Sequence, residues 1–400
     1  MALSKFNIFI DNIIFNTLTG YAMELEPWEI EKLKGGEVPD HLKEVVEEGF
    51  STTDDLESVL EPLLNKPVLE PTLLLTYNCN FNCTYCFQKG FRKEVTVTEE
   101  VMKGFINYVR KRERGRKVRV TFFGGEPLLE LRKIEEISRS LSDLKYSFSV
   151  VTNGSLLTKS VTQRLISHGL SHVQITLDGP PEVHDKRRFY VDGRGSFNTI
   201  IQNLREVQDL VKVVLRINID VNNLNEVDTL LAKLVEEGIT RIRLDPHFVH
   251  TNLFRNEWWE NVIPKDLESD VLVKFWEKAR SYGFEIPHDI FRLGICAAHI
   301  DEDIVVDPEG KVYPCWAFTG NPLYVKGRLT QEGEVETLNR SLSGRKSLII
   351  HEKCKSCPYL PMCMGGCRFL SVLDGKGYHG LDCRKETYEK LVKLLRFLMQ

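Results

Sequence analysis

Leu73-Leu74-Leu75-Thr76-Tyr77-Asn78-Cys79-Asn80-Phe81-Asn82-Cys83-Thr84-Tyr85-Cys86 decides how the rest of this chain is read. The apolar run Leu73–Tyr77 has the length and composition of a short buried strand, and it delivers the chain into a C-x3-C-x2-C loop. Three thiolates on one tight loop can hold three irons of a [4Fe–4S] cube, because soft sulfur ligands suit iron–sulfur clusters. The fourth iron then has no protein ligand nearby and stays open to a small molecule. A structural zinc site would want a fourth Cys or His at knuckle spacing, and none lies close. A redox dithiol needs only two cysteines in C-x-x-C and leaves Cys79 unexplained.

The rest of the composition agrees with a metalloprotein. Four hundred residues are long for one core and suggest two or three domains. A net charge of −4 gives no reason to invoke nucleic acid or membrane as a partner. Phe6-Asn7-Ile8-Phe9-Ile10-Asp11 is interrupted by polar residues, so no signal peptide is expected, and no apolar run approaches membrane-spanning length. Ten cysteines without a secretion signal argue for metal ligands rather than disulfides. The expected address is the cytoplasm, and oxygen sensitivity is expected with it.

Residues 1–68 read as a first unit, with strands at Phe6–Ile10, Ile13–Asn16 and Tyr21–Leu25, then helices at Glu26–Lys34, His41–Glu48 and Thr53–Leu60. From Glu70 to about Pro246 the pattern alternates. Strands are expected at Thr72–Tyr77, Val118–Phe123, Tyr146–Val151, His172–Leu177, Val213–Ile219 and Arg241–Leu244. Helices fall between them, at Glu99–Lys111, Ser160–His168 and Asn225–Glu237 among others. Repeated βα units with short connections imply a parallel sheet, whose reactive groups belong on loops at the C-terminal strand ends.

Polar motifs fall at those ends. Gly124-Gly125-Glu126-Pro127 pairs glycines that let backbone approach a ligand with a carboxylate able to hold an ammonium group; an ordinary glycine turn with a solvated Glu is the plainer reading. Thr152-Asn153-Gly154-Ser155 follows the third strand, and Leu177-Asp178-Gly179-Pro180 with His184-Asp185-Lys186-Arg187-Arg188 follows the fourth. On the fifth, Arg216, Asn218 and Asp220 share one face, toward the interior or toward solvent. Trp258-Trp259 and Phe275-Trp276 mark an aromatic connector and helix. Near the C-terminus come Cys296, Gly310, Cys315, Cys354-x2-Cys357-x5-Cys363-x3-Cys367 and Cys383, and then an amphipathic helix over Lys385–Met399.

The run C-N-F-N-C-T-Y-C resembles the signature of the radical S-adenosylmethionine (SAM) enzymes. The resemblance implies an α/β fold: a partial (β/α)6 TIM-like barrel at 69–285, with the N-terminal α+β unit at 1–68 as a cap or a peptide-recognition domain. It implies that the open iron takes the amino and carboxylate groups of SAM, and that a 5′-deoxyadenosyl radical abstracts hydrogen from the substrate. By resemblance, Cys79, Cys83 and Cys86 carry the catalytic cluster and Tyr85 lies near the adenine. Gly124, Gly125 and Glu126 bind the SAM amino group, and Asn153 lies near its amino acid or ribose. Asp178 and Asn218 also belong to the cofactor site. Arg188 pairs with the SAM carboxylate, a task for a planar guanidinium, with the adjacent Arg187 as the competing choice.

The C-terminal cysteines resemble the seven-cysteine SPASM domain, at 286–383 here, with residues 384–400 as a closing helix; a pair of zinc knuckles is the competing reading. The resemblance implies three [4Fe–4S] clusters in all. Cys296, Cys315 and Cys367 would ligate the first auxiliary cluster, and Cys354, Cys357, Cys363 and Cys383 the second. The first then has one iron without a cysteine, either open or taking His299, Asp301 or a substrate thiolate. Implied partners are a ribosomally made precursor peptide and an electron donor such as flavodoxin or ferredoxin. The favoured activity is a peptide maturase installing a thioether, or else a carbon–carbon, crosslink. The alternatives are an anaerobic sulfatase-maturating, formylglycine-forming enzyme and a peptide epimerase. In the sulfatase maturases an Asp serving as base follows the cysteine equivalent to Cys315. Trp316 stands there in this chain, leaving a carboxylate such as Asp245 to substitute. Epimerases use a spare cysteine, and here every cysteine is assigned.

Overall fold

Strand β5 (Thr72–Thr76) is the hinge of the architecture, hydrogen-bonded on both sides and buried along its whole length. The computed structural model describes residues 3–51, 60–61, 64–89, 94–250, 261–287, 295–344 and 350–399. The helix expected at Thr53–Leu60 lies, except for Leu60, outside the described residues, as does Trp258-Trp259.

The N-terminal unit is an antiparallel sheet of β1 (Asn7–Ile10), β2 (Ile13–Asn16) and β3 (Ala22–Glu24), followed by α1 (Pro27–Lys34) and α2 (Lys43–Gly49). The sheet and helices close over Ile14, Leu25, Leu33, Val46 and Phe50. Its other face docks on the C-terminal unit, where Phe6 packs with Cys354 and Leu360 and Thr17 Oγ1 donates to the Pro358 carbonyl.

After the short β4 (Val68–Leu69), six parallel strands follow in sequence order: β5, β6 (Lys117–Gly124), β7 (Tyr146–Val151), β8 (Leu170–Thr176), β9 (Lys212–Ile219) and β10 (Ile242–Phe248). Among the described residues β10 pairs only with β9, and the sheet is an open, partial barrel. The connecting helices are α3 (Glu99–Arg112), α4 (Leu131–Ser140), α5 (Lys159–Ser167), α6 (Pro181–Arg187), α7 (Phe197–Val207) and α8 (Val227–Glu236). Thr98 and Thr158 cap α3 and α5 by accepting from Val101 N and Val161 N, each at 3.3 Å, which supplies an acceptor for an otherwise orphaned helical N–H. Along β9, Val213, Leu215, Ile217 and Ile219 are buried toward the helices and alternate with half-buried Arg216 and Asn218 facing the barrel interior, the two-residue period of a strand.

The sheet does not stop at β5. After α9 (Lys265–Ser281), β11 (Val305–Val306) adds in parallel to the free edge of β5, with Val305 opposite Thr72. Three antiparallel strands extend it: β12 (Lys311–Tyr313), β13 (Gly327–Leu329) and β14 (Val335–Thr337). The barrel and the cysteine-rich unit thus share one sheet across the boundary expected near residue 285. The terminal amphipathic segment is α10 (Lys385–Leu391) continued by shorter turns to Leu398, and α10 packs on α9. Among the described residues, no helix is long and apolar enough to cross a membrane.

Candidate functional site

One cavity of about 300 Å³ opens at the C-terminal ends of the barrel strands, and all six contribute to it. Cys79, Cys83, Tyr85 and Cys86 come from the loop after β5, Gly124 and Gly125 from the end of β6, and Thr152 and Asn153 from the loop after β7. Gln174 and Thr176 lie on β8, Arg216 and Asn218 on β9, and His250 just after β10. Arg188 and, from the C-terminal unit, Trp316 complete the wall.

The paired glycines let two loops touch. Gly124 sits at φ +135°, and a Cβ on it would stand 2.3 Å from Thr76 O; one on Gly125 would stand 2.1 Å from Asn78 O. Gly125 N donates to Thr76 O and Glu126 N to Asn78 O, each at 2.8 Å, so this turn clamps the chain entering the cysteine loop. Glu126 is fully buried behind the wall. Its carboxylate accepts from Leu128 N (3.0 Å), Thr152 Oγ1 (2.7 Å) and Asn153 N (2.8 Å). Burial raises its pKa against those three donors. Asn153 in turn donates through Nδ2 to Asn80 Oδ1 (2.7 Å), and Asn80 Nδ2 to Ser155 Oγ (2.9 Å), tying the third strand's loop to the cysteine loop.

The two adjacent arginines separate cleanly. Arg187, the last residue of α6, is ion-paired with Asp220 at 2.7 Å and donates to Asn218 O at 3.1 Å. Arg188 leaves the helix at φ −135° and lines the cavity, where its Nη1 donates to the Tyr85 hydroxyl at 2.8 Å. Its Nε is buried without a hydrogen-bond partner among the described residues. Burial alone would loosen its proton, but Cys83, Tyr85 and Asp178 outweigh that and hold the guanidinium charged. Tyr85 also receives Asn218 Nδ2 (3.0 Å) and donates to Asp178, which is buried behind it and accepts from Asn218 N (3.0 Å).

The rest of the His184-Asp185 motif holds the frame. Asp178 N donates to His184 Nδ1 (3.2 Å), which leaves the proton on Nε2 facing Ser196 Oγ (3.0 Å). Burial, then Arg188 and Arg187, push its pKa far down, so the ring is neutral. Asp185 Oδ1 accepts from Ser196 N and Phe197 N, both at 2.8 Å, and so caps α7. On β9, Arg216 and Asn218 face the cavity, whereas Asp220 is spent on Arg187. Asp245 is held by Arg216 at 2.9 Å.

The aromatic wall is a stack. Phe123 lies between Phe87 (centroids 6.2 Å apart) and Trp316 (5.0 Å), and Trp316 Nε1 donates to Thr72 Oγ1 at 3.0 Å.

The remaining cysteines form two further groups. Cys354, Cys357, Cys363 and Cys383 line a second cavity of about 220 Å³ beside Lys353 and Lys385. Cys296, Cys315 and Cys367 lie within electrostatic reach of one another; desolvation chiefly, then mutual repulsion, raises the Cys315 pKa. Backbone N–H groups of Ala317 and Trp316 act against the rise at Cys315, those of Leu370 and Phe369 at Cys367, and those of Arg384 and Gly365 at Cys363. These donors favour thiolates, the form that binds metal. Gly366, at φ +79°, is needed because a Cβ there would meet Asp382 O at 1.8 Å. Of the candidate fourth ligands, Asp301 is taken by Lys326 (2.7 Å) and Gly344 N (2.6 Å), while His299 is buried with a pKa lowered to about 4 by desolvation and Arg368.

Among the described residues, which include all ten cysteines, none is in a disulfide, and no three His, Cys, Asp or Glu side chains converge as they would on a single metal ion. A cube asks for something else, since each thiolate takes its own iron and the sulfurs ring a cavity. Cys79, Cys83 and Cys86 line one such cavity and Cys354, Cys357, Cys363 and Cys383 another, while Cys296, Cys315 and Cys367 are gathered within electrostatic reach. His250, Gln174 and Arg368 were not singled out from the sequence; for the first two, position at a strand end was the available signal.

Comparison with known proteins places this geometry. Residues 73–234 match the Radical SAM superfamily model. A cysteine-type anaerobic sulfatase-maturating enzyme of Clostridium novyi is 24% identical over 330 residues, 73% of this chain and 85% of that protein. The radical SAM cyclopropyl synthase TigE of Paramaledivibacter caminithermalis is 23% identical over 388 residues, 85% of this chain and 78% of its own. Streptococcus suis SuiB, solved bound to precursor peptide SuiA, shares the fold at a TM-score of 0.57 and 16% identity, covering 96% of this chain and 99% of that one.

Proposed function

We propose, for a chain that carries a radical SAM domain over residues 73–234, that it is a maturase modifying a ribosomally made peptide by an oxidative crosslink, a thioether ahead of a carbon–carbon bond. One observation carries this reading: Cys79, Cys83 and Cys86 share a single strand-end cavity with Arg188, Asn153 and Trp316. When bound, a [4Fe–4S] cluster on those cysteines together with SAM supplies a 5′-deoxyadenosyl radical. The chain's own residues do the rest. Arg188 offers its charged guanidinium to the SAM carboxylate, a charge-assisted contact, while Gly124, Gly125, Asn153, Asn218 and Tyr85 shape the walls. The Phe87–Phe123–Trp316 stack excludes water. His250, whose pKa burial lowers to about 4, is neutral near pH 7 and offers the cavity an uncharged hydrogen-bonding ring. Glu126 and Asp178 act through the residues they hold.

The two C-terminal cysteine groups support a SPASM unit with two auxiliary [4Fe–4S] clusters, through which the second electron leaves toward a flavodoxin- or ferredoxin-like partner. A peptide substrate is supported by the peptide-bound SuiB and by the sulfatase-maturating relative. That relative also favours a second reading, formylglycine formation. Against it, Trp316 fills the position of the expected base, no Asp or Glu lines the cavity among the described residues, and Asp245 is paired with Arg216.

The test is mass spectrometry after anaerobic incubation with SAM and reductant, on a peptide encoded beside this gene and on a sulfatase-site peptide. Loss of two hydrogens per event from the former supports crosslinking. Unchanged mass in ordinary water, with deuterium incorporated when the reaction is run in heavy water, means epimerisation, and conversion of the sulfatase peptide alone overturns the crosslink reading. Cys83→Ala should abolish cleavage of SAM to 5′-deoxyadenosine.

A further inference from the structure

Arg368 is the largest side chain buried below 2% exposure. It follows Cys367 directly, and its Nη1 donates to Gly380 O at 2.9 Å. Its Nε and Nη2 have no hydrogen-bond partner, and the residue forms no ion pair among the described residues. Nearby Asp382 does not answer it, being engaged by Lys265 (2.5 Å), Arg384 (2.8 Å) and Cys367 N (3.0 Å). The other groups whose charge reaches Arg368 are Tyr378, Cys296 and Cys367, and His299 lies within reach of its own charge. A buried guanidinium with two idle donors is costly unless something anionic takes them. The neighbouring sulfurs belong to the group expected to hold a cluster.

We propose that Arg368 is a positioning residue for the first auxiliary cluster, holding two uncommitted N–H donors and a full positive charge beside its cysteine ligands and so raising its reduction potential. This rests on the reading of Cys296, Cys315 and Cys367 as that cluster's ligands. Potentials of such clusters follow net charge and hydrogen bonds to sulfur, and a nearby cation favours the more negative, reduced form. The setting suits a cluster that must accept an electron from the substrate side of the barrel.

The experiment uses full-length protein with Cys79→Ala, Cys83→Ala and Cys86→Ala, so that auxiliary clusters alone remain. EPR-monitored redox titration gives their potentials, and Cys315→Ser identifies the first by loss of its signal. Arg368→Gln keeps a donor for Gly380 O but removes the charge; it should shift that cluster to a more negative potential and leave the second unmoved. Arg368→Lys should shift it less, in the same direction. Full iron content with an unchanged potential in Arg368→Gln overturns the inference. If that variant loses iron, wild-type potential in Arg368→Lys overturns it instead. No signal lost in Cys315→Ser overturns the ligand reading, and the inference with it.

Discussion

The neighbours Arg187 and Arg188 should fail in different ways when each is replaced by Met. Arg188 faces the cavity with a buried Nε that has no hydrogen-bond partner among the described residues, so in the role proposed for it, replacement removes a charge-assisted contact to the SAM carboxylate. Such contacts are worth about 1.5–3 kcal/mol, which is roughly a 10- to 150-fold rise in the Kd for SAM. The fold keeps its frame, because Tyr85 retains Asn218 and Asp178. Arg187 instead neutralises Asp220, which has 0% exposure, across 2.7 Å. Leaving that carboxylate buried alone should cost about 3–5 kcal/mol of stability. Calorimetric titration of SAM into anaerobically reconstituted protein, beside thermal unfolding, separates the two. The reasoning fails if Arg188→Met binds SAM like wild type, or if Arg187→Met weakens SAM binding at unchanged stability.

Three further outcomes are expected. Gly125→Ala places a methyl 2.1 Å from Asn78 O; with the three clusters proposed, iron analysis should show roughly a third of the metal lost, as an overpacked contact displaces the first cysteine loop. His250→Gln should lower the rate of peptide modification by roughly tenfold at most, the range of one lost hydrogen bond, with SAM affinity unchanged by calorimetry. His184 is held neutral with its pKa far below the ordinary value. Its contribution to stability is therefore present above about pH 6.5 and is lost as pH falls, since the unfolded ring then takes a proton the folded one refuses. The drop in thermal midpoint between pH 7.5 and 5.5 should be smaller in His184→Gln, with His172, His250 and His299, all lowered chiefly by burial, contributing residual slope of the same sign.

Much of this was legible because the chemistry is written in spacing. Cysteine loops are local, and the alternation of Val213, Leu215 and Ile217 with Arg216 and Asn218 announces a strand with one polar face. What could not be read depends on distance through space. Adjacent Arg187 and Arg188 look alike until the end of α6 turns one toward Asp220 and the other into the cavity. Glu126 has the chemistry of an ammonium ligand, yet three donors from two loops converge on it from behind. β11 is two residues long, too short to carry a period, so the joining of both units into one sheet left no trace. Arg368 was hidden for the opposite reason: nothing local marks a charged side chain as buried.

The pairing of Thr72 with Val305 has a bearing on how the protein is made. β5 leaves the ribosome about 230 residues before the strand that seals its edge. At the usual pace of synthesis, about 5–20 residues per second, Leu73-Leu74-Leu75 stands as an open, apolar margin for roughly ten seconds or more. A chain cut before Val305 never closes it. Such a truncation, though it retains every strand of the barrel, is expected to aggregate through the β5 edge, and sedimentation of the shortened protein would show it.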